Sequence, residues 1–323
     1  MQALLTKIKT ITSAQSKQQL LANLAMLITV LFWGISFISI KITVSEVPPI
    51  TMALIRFIIA SAILLVIMRK LEPASKLQKE DIARMLLAGF LGITLYFYFE
   101  NSGVKMTTAS NASLITSIIP ITAIALDMII FKAKASALTF LGIGCAIAGA
   151  YLAVTANGQV AFNSATFKGN IFMVFAMLAW SLYTLLNKSL QDKYSGLFLT
   201  TYQTLFGTIL LVPASLLEYK QWHLFSLTAF FNILFLAICC SAIGYFLYIF
   251  ALKRLDVAIT TLYLNLTPIV GVISGYLVLG ETVLPIQLLG GVIIILVIIA
   301  INVEKQRATL KSMGGNSGCA KST

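Results

Sequence analysis

The chain alternates between long apolar stretches and short polar connections along almost its whole length. Ten of the apolar stretches are long enough for a helix that rises 1.5 Å per residue to cross about 30 Å of hydrocarbon. They cover residues 23–45, 49–68, 84–103, 107–131, 136–155, 169–189, 195–216, 228–250, 257–279 and 284–303. The alternation typical of barrel strands is absent, so the pattern predicts an all-α integral membrane protein with ten transmembrane helices.

Composition supports this prediction. Apolar residues make up 59% of the 323 residues and charged residues 11%, whereas a soluble domain is about half apolar and about a quarter charged. The four cysteines and the single histidine, His223, have no metal-binding or redox spacing. We therefore expect no metal site and no cofactor.

The basic residues lie in the short connections, and their placement predicts the orientation. If the N-terminus is cytoplasmic, 18 of the 23 lysines and arginines fall in inner segments and three in outer connections. Positive residues favour the cytoplasmic side. The sequence thus predicts a multi-pass protein of the cytoplasmic membrane with both termini inside, and the net charge of +12 reflects topology rather than nucleic-acid binding.

The chain contains an internal duplication. Trp33 and Trp180 each stand eight residues before a lysine, at a shift of 147 residues, and Pro120 matches Pro268 at a shift of 148. The sequence divides into a segment 1–22, a first repeat 23–155, a linker 156–168, a second repeat 169–303 and a tail 304–323. Each repeat has five spans, an odd number, so the second must be inverted with respect to the first. Inverted repeats in an apolar chain are typical of secondary transporters, which bind solute between the repeats.

Arg56 is the most informative charged residue, because it lies seven residues into the second span. A charge at that depth is either a ligand for an anionic group or a structural arginine that is paired or snorkelling. Its counterpart in the second repeat is Gln203. Glu100, in the same leaflet of the third span, is the candidate partner of Arg56, and an ion pair between them is a hypothesis that rests on depth.

The paired prolines, Pro120 and Pro268, are candidate hinges. Proline within a helix frees a carbonyl and produces a kink, and matched helix breaks in two repeats point to a transporter's binding site. The alternative is a packed kink without substrate contact. Polar and aromatic residues that could line a cavity near these breaks or in the outer half of the spans are Asn111, Ser117, Tyr263 and Asn265.

Two tryptophans lie too deep in their spans for an interfacial belt. Trp33 and Trp180 either pack in the core or wall a central cavity, and Tyr96 and Tyr245 are similar candidates. Asp127, near the inner end of the fourth span, either pairs with local lysines or serves as a proton site.

Several segments resemble the EamA repeat of the drug/metabolite transporter superfamily. They are WGISFISIK at 33–41, Arg56-Phe57, the stretch 100–121 and the stretch 260–281, which ends in Gly280-Glu281. The resemblance covers 23–303 and implies a ten-helix carrier that works by alternating access, commonly an exporter of amino acids or other metabolites. One position departs from the pattern: the first repeat has Lys132-Ala133 where the second has Gly280-Glu281.

Three classes of function compete at this stage. The leading prediction is a secondary transporter that exports an amino acid or a similar organic anion, with the solute and the lipid bilayer as its partners. Lys41 and Arg56 could then attract a carboxylate in the outer half. An intramembrane enzyme would need a nucleophile with a base, or a metal site, and the sequence provides neither. A non-transporting scaffold or sensor is the alternative, and the sequence favours no oligomeric state.

Overall fold

A computed structural model describes most of the chain. The described residues are 2–132, 140–141, 144–145, 148, 152, 164–252, 254–255, 263–293, 295–297, 299–300 and 303. Side chains are described from Lys17 onwards, except those of Pro120, Ile124, Asp127, Phe131, Lys188 and Leu252. The contacts given below are contacts among these residues.

The described part of the chain is helical and contains seven helical stretches that are long and apolar enough to cross a membrane. They are Lys17–Thr43, Pro49–Leu71, Lys79–Met106, Ala109–Ile130, Ala165–Gln191, Gly196–Leu216 and Leu227–Ala251. Two shorter apolar helices, Thr267–Leu279 and Pro285–Val297, fall within the ninth and tenth predicted spans. The fifth predicted span, 136–155, lies largely outside the described residues, so the count of ten stays a prediction.

We number the helices in chain order. They are α1 (Gln2–Thr43), α2 (Pro49–Leu71), α3 (Ile82–Gly89), α4 (Tyr96–Met106), α5 (Ala109–Ile115), α6 (Ile119–Phe131), α7 (Ala165–Gln191), α8 (Gly196–Leu216), α9 (Leu227–Phe235), α10 (Gly244–Leu252), α11 (Thr267–Leu279) and α12 (Pro285–Val297). A π-helical segment, Phe90–Leu95, joins α3 to α4, and a second, Leu236–Ile243, joins α9 to α10. A 3₁₀ turn, Thr116–Ile118, joins α5 to α6.

The structure repeats local irregularities at the same shifts as the sequence. The two π-helical segments occupy corresponding places in the third and eighth spans. Lys132 after α6 and Gly280 after α11, 148 residues apart, both have left-handed backbone conformations, with φ of 51° and 63°. These are the only residues with positive φ in the described ranges. Left-handed residues commonly end helices, and both repeats end their fourth helix in this way.

Equivalent helices of the two repeats pack antiparallel. Ser61 of α2 and Thr208 of α8, 147 residues apart, meet through their hydroxyl groups at 3.0 Å. Glu218, after α8, accepts hydrogen bonds from the first residues of α2, while Ser195, before α8, donates its hydroxyl proton to Glu72, after α2. Head-to-tail pairing of equivalent helices is the arrangement that an inverted duplication predicts.

These contacts divide the connections between two ends of the bundle. Following the predicted orientation, we call the end with 44–48, 107–108, 217–226 and 280–284 the outer end, and the end with 72–81 and 192–195 the inner end.

At the inner end Lys193 binds Glu80 and Asp81, each at 3.0 Å. Hydrogen bonds from Lys193, first to Glu80 and then to Asp81, raise its pKa, so it is charged at neutral pH.

The core of the bundle lies around α1, α2, α4 and α7. Met52, Phe57 and Leu64 of α2 are buried, whereas Ile58 and Val66 on its other face are exposed. An apolar exposed face is what a helix presents to lipid. The buried face of α2 brings Arg56 to the centre of the molecule.

Candidate functional site

An aromatic cluster lies where the two repeats meet. Trp33 of α1 and Trp180 of α7 both pack against Tyr245 of α10, with ring centroids 5.5 and 6.5 Å apart. Tyr96 of α4 packs on Trp180 at 5.0 Å. Tyr183 and Tyr248 complete the aromatic cluster, at 5.1 Å from Trp180 and 5.5 Å from Trp33 respectively. The four aromatic residues predicted from the sequence thus come together, two from each repeat.

The π-helical segments position the indole and phenol rings. In the second segment the carbonyl of Cys240 accepts a hydrogen bond of 3.0 Å from Trp33 Nε1. A π-helical turn leaves its carbonyls poorly paired along the helix, and such turns are frequent at functional sites. Gly92 lies in the first π-helical segment and has no room for a Cβ because Tyr183 packs against it. Gly244, directly after the second segment, has no room for a Cβ because Trp33 packs against it.

Arg56 borders the aromatic cluster and is 4% exposed. Its Nε donates a hydrogen bond of 2.8 Å to Ser241 Oγ, in the π-helical segment of the other repeat. The guanidinium carbon lies 4.6 Å from the ring centroid of Phe97. Nη1 is buried and has no hydrogen-bond partner among the described residues. A buried guanidinium whose Nη1 has no partner is suited to binding an anionic group.

Glu100 stands one helical turn after Tyr96 in α4 and is also 4% exposed. The Tyr96 hydroxyl donates a hydrogen bond of 2.7 Å to Glu100 Oε1. The ion pairs within 4.0 Å in the described part of the chain all lie at the inner end, so none joins Arg56 to Glu100. Arg56 packs on Phe97 and Glu100 bonds to Tyr96, so the two side chains lack the direct ion pair that their depth suggested.

Gln203, the counterpart of Arg56, is engaged by its own repeat. Its Oε1 accepts a hydrogen bond of 2.8 Å from the Tyr183 hydroxyl, and its Nε2 donates one of 2.7 Å to Asn187 Oδ1. Gln203 thus orients Tyr183 in the aromatic cluster. It borders the site without a free polar group of the kind that Arg56 offers.

The breaks in the fourth and ninth spans carry buried polar atoms without partners in the described part of the chain. These atoms are Ser117 Oγ, Asn265 Nδ2 and Thr267 Oγ1, and the three residues are 3%, 7% and 8% exposed. Ser117 and Asn265 are counterparts at a shift of 148, and each stands two residues before the helix that follows its break. Pro120 and Pro268 are the second residues of these helices, α6 and α11, where a missing N–H costs little.

The two breaks lie at one depth. Ser110 packs against Gly275, and Ser113 packs against Gly271, so α5 and α11 run antiparallel. One turn further along the fourth span, Ser117 is level with Thr267. Tyr263, before the second break, donates a hydrogen bond of 3.1 Å to Asn23 Oδ1 of α1.

Two candidate residues, Asn111 and Lys41, lie outside the central site, and the side chain of a third, Asp127, is not described. Asn111 is at the outer end, where it accepts a hydrogen bond from Gln287. Lys41 donates to the carbonyls of Val104, Lys105 and Thr107, so it caps the end of α4 and leaves no donor for a departing carboxylate. Asp127 lies in α6, but its side chain is outside the described set, and its role stays a prediction.

The sequence reasoning missed several residues of the site, among them Phe97. The place of Tyr183 could have been predicted from its position, because it stands one helical turn after Trp180 and lies on the same face of the helix. No sequence pattern predicts three others, Ser241, Cys240 and Tyr248. Their contacts with Arg56 and Trp33 depend on packing between elements about 200 residues apart.

Known proteins with similar sequences support one family. The profile of the EamA-like transporter family matches residues 20–155 and again 167–303. An uncharacterised transporter of Archaeoglobus fulgidus is 28% identical over 84% of this chain and 94% of its own length. A probable terminal-alkyne amino-acid exporter of Streptantibioticus cattleyicolor is 26% identical over 86% of this chain and 92% of its own.

A solved structure shares the fold, with a TM-score of 0.61 and 15% identity over 86% of this chain and 94% of that chain. The family is one of transporters rather than enzymes, and its profile covers nearly all the helical part of the chain in two matches. The chain belongs to the EamA-like transporter family.

Proposed function

We propose that this transporter exports a zwitterionic amino acid across the cytoplasmic membrane by alternating access between two inverted five-helix repeats, 23–155 and 169–303. Both termini would face the cytoplasm, as the basic residues indicate. The observation that carries the proposal is the free Nη1 of Arg56 beside an aromatic cluster that both repeats build.

The substrate carboxylate would bind Arg56. A buried donor without a partner costs about 1–3 kcal/mol, and a carboxylate would replace that cost with a charge-assisted hydrogen bond. Ser241 and Phe97 already hold the guanidinium, so little side-chain entropy would be lost on binding.

The substrate ammonium would bind beside Glu100 and Tyr96. Glu100 provides a negative charge there, and the faces of Tyr96 and Trp180 attract a cation. The rest of the aromatic cluster would surround an apolar or aromatic side chain. Ser117, Asn265 and Thr267 supply further donors and acceptors at the helix breaks, and Pro120 and Pro268 would allow these spans to bend between states.

The relative described as a probable amino-acid exporter agrees with this substrate class and with the direction of transport. The alternative, a scaffold or sensor that carries no solute, gives no reason for a buried arginine with a free donor.

Counterflow uptake into proteoliposomes tests the proposal. Vesicles loaded with unlabelled amino acids should accumulate a radiolabelled apolar amino acid, whereas vesicles without protein should not. Because the site has one pole for each charge, the amino-acid amide and the deaminated acid should each compete at least about tenfold more weakly than the intact amino acid. Equal competition by either analogue would refute the two-pole site, and absence of any uptake across the panel would favour the scaffold.

A further inference from the structure

A carboxylate fastens the outer ends of the two broken spans to each other. Glu281, directly after α11, accepts hydrogen bonds from the backbone N–H groups of Ala109 and Ser110, both at 2.8 Å, and from the Ser110 hydroxyl at 2.6 Å. These are the first residues of α5. Gln287 adds a hydrogen bond to Asn111. We call these four side chains, Ser110, Asn111, Glu281 and Gln287, the outer clamp.

Close packing continues from the outer clamp towards the helix breaks. Gly275 lies against the Ser110 hydroxyl and Glu281, and Gly271 lies against Ser113, with no room for a Cβ at either glycine. Between the outer end and Ser117, α5 and α11 therefore leave no passage between them. A solute in the aromatic cluster can pass between these helices to the outside only if the outer clamp opens.

None of the four outer-clamp side chains recurs at the corresponding inner positions of the sequence. At the shift of 148 that relates Lys132 to Gly280, Glu281 corresponds to Ala133 and Ser110 to Ala258. Asn111 corresponds to Ile259 and Gln287 to Thr139. Alanine and isoleucine side chains neither accept nor donate hydrogen bonds.

The pair α2 and α8 shows that this difference is not general. A carboxylate joins their outer ends, where Glu218 accepts from the N–H groups of Ile50 and Thr51 and from the Thr51 hydroxyl. A second carboxylate, Glu72, accepts from Ser195 at the inner end. This pair is thus fastened by a carboxylate at both ends, whereas the Glu281 carboxylate of the broken spans has no inner counterpart in the sequence.

From these contacts we infer that the outer clamp holds the resting protein closed on the outside. The resting transporter then takes up its solute from the inside, and opening to the outside requires loss of the Glu281 hydrogen bonds. The inference rests on the alternating access proposed above, but it concerns which gate opens and not which solute is carried.

Thiol labelling in intact cells tests the outer clamp without any transport measurement. The reporter is Ser113→Cys, in a background where Cys145, Cys239, Cys240 and Cys319 are alanine, and the reagent is a membrane-impermeant maleimide. Glu281→Ala should raise the labelling rate about tenfold or more. The substitution removes hydrogen bonds that only the closed state makes, so it shifts the population towards the open state, in which the reporter is accessible. Glu281→Gln keeps one acceptor, so its labelling rate should lie between those of the background and of Glu281→Ala. It replaces the alanine variant in the test if that variant does not fold.

The matched control is Glu218→Ala, which removes three hydrogen bonds of the same kind from the same end of the bundle but between α2 and α8. It should leave the labelling rate unchanged. A labelling rate in Glu281→Ala equal to that of the background, or an equal rise in Glu218→Ala, would overturn the inference.

If no amino acid is taken up in counterflow but Glu281→Ala still raises the labelling rate, the substrate proposal fails and the outer-clamp inference stands.

Discussion

Replacing Arg56 with glutamine is expected to reduce counterflow uptake at least about 30-fold. Truncating one partner of a buried, hydrogen-bonded charge pair costs about 2–5 kcal/mol, and here the lost partner is the anchor for the substrate carboxylate. Lysine would keep the charge but not the planar fork, the Nε bond to Ser241 or the stacking on Phe97. We therefore expect Arg56→Lys to transport weakly rather than normally.

Controls separate binding from folding in this experiment. Arg56→Gln alone leaves Glu100 as an uncompensated buried charge, so part of its effect could be loss of folded protein. The double variant Arg56→Gln/Glu100→Gln removes both charges and should recover monodisperse protein in detergent without recovering uptake. Arg69→Gln, which replaces an exposed arginine at the inner end of the same helix, should transport normally. Normal uptake by folded Arg56→Gln would remove Arg56 from the mechanism.

Replacing Gly169 with valine is expected to destabilise the bundle by about 1–3 kcal/mol or more. Gly169 of α7 faces Gly103 of α4, and a Cβ there would lie 2.8 Å from the Gly103 carbonyl oxygen and the Thr107 nitrogen. Both obstacles are backbone atoms, which cannot rotate away, so α4 and α7 would have to separate. Because α4 carries Tyr96 and Glu100, separation would also disturb the site.

The matched control for this prediction is Gly144→Val. Gly144 is also helical, but a Cβ there meets no described atom within 4 Å. Both substitutions exchange glycine for valine in a helix, so the difference between them isolates the packing. The thermal unfolding midpoint in detergent should fall clearly for Gly169→Val and hardly at all for Gly144→Val. Equal midpoints would show that the α4–α7 contact is looser than the structure has it.

The long apolar stretches predicted the described membrane spans well, because spanning helices must satisfy their backbone hydrogen bonds internally. The predicted span 49–68 corresponds to Pro49–Leu71, and 195–216 to Gly196–Leu216. The breaks within spans divide into two kinds. Those before α6 and α11 were signalled by Pro120 and Pro268, whereas the π-helical segments Phe90–Leu95 and Leu236–Ile243 have no local marker, since apolar residues fit either helix type.

Depth along a helix predicted burial but not partners. Arg56 and Glu100 were both expected in the outer half of the first repeat, and both are buried, Arg56 against Phe97 and Glu100 against Tyr96. Their actual hydrogen bonds, to Ser241 and Tyr96, depend on side-chain direction and on contact with the second repeat. Lys41 shows the same limit, because its sequence position fitted a substrate contact and its geometry is that of a helix cap.

The central claim, that the solute binds in the aromatic cluster between the repeats, is tested most directly by tryptophan fluorescence. The chain has three tryptophans, and Trp222→Phe removes the one that lies in an exposed outer connection. Emission from the remaining Trp33 and Trp180 should then change saturably when a transported amino acid is added, and the change should vanish in Arg56→Gln. An amino acid that is transported in counterflow without altering this emission would contradict the claim.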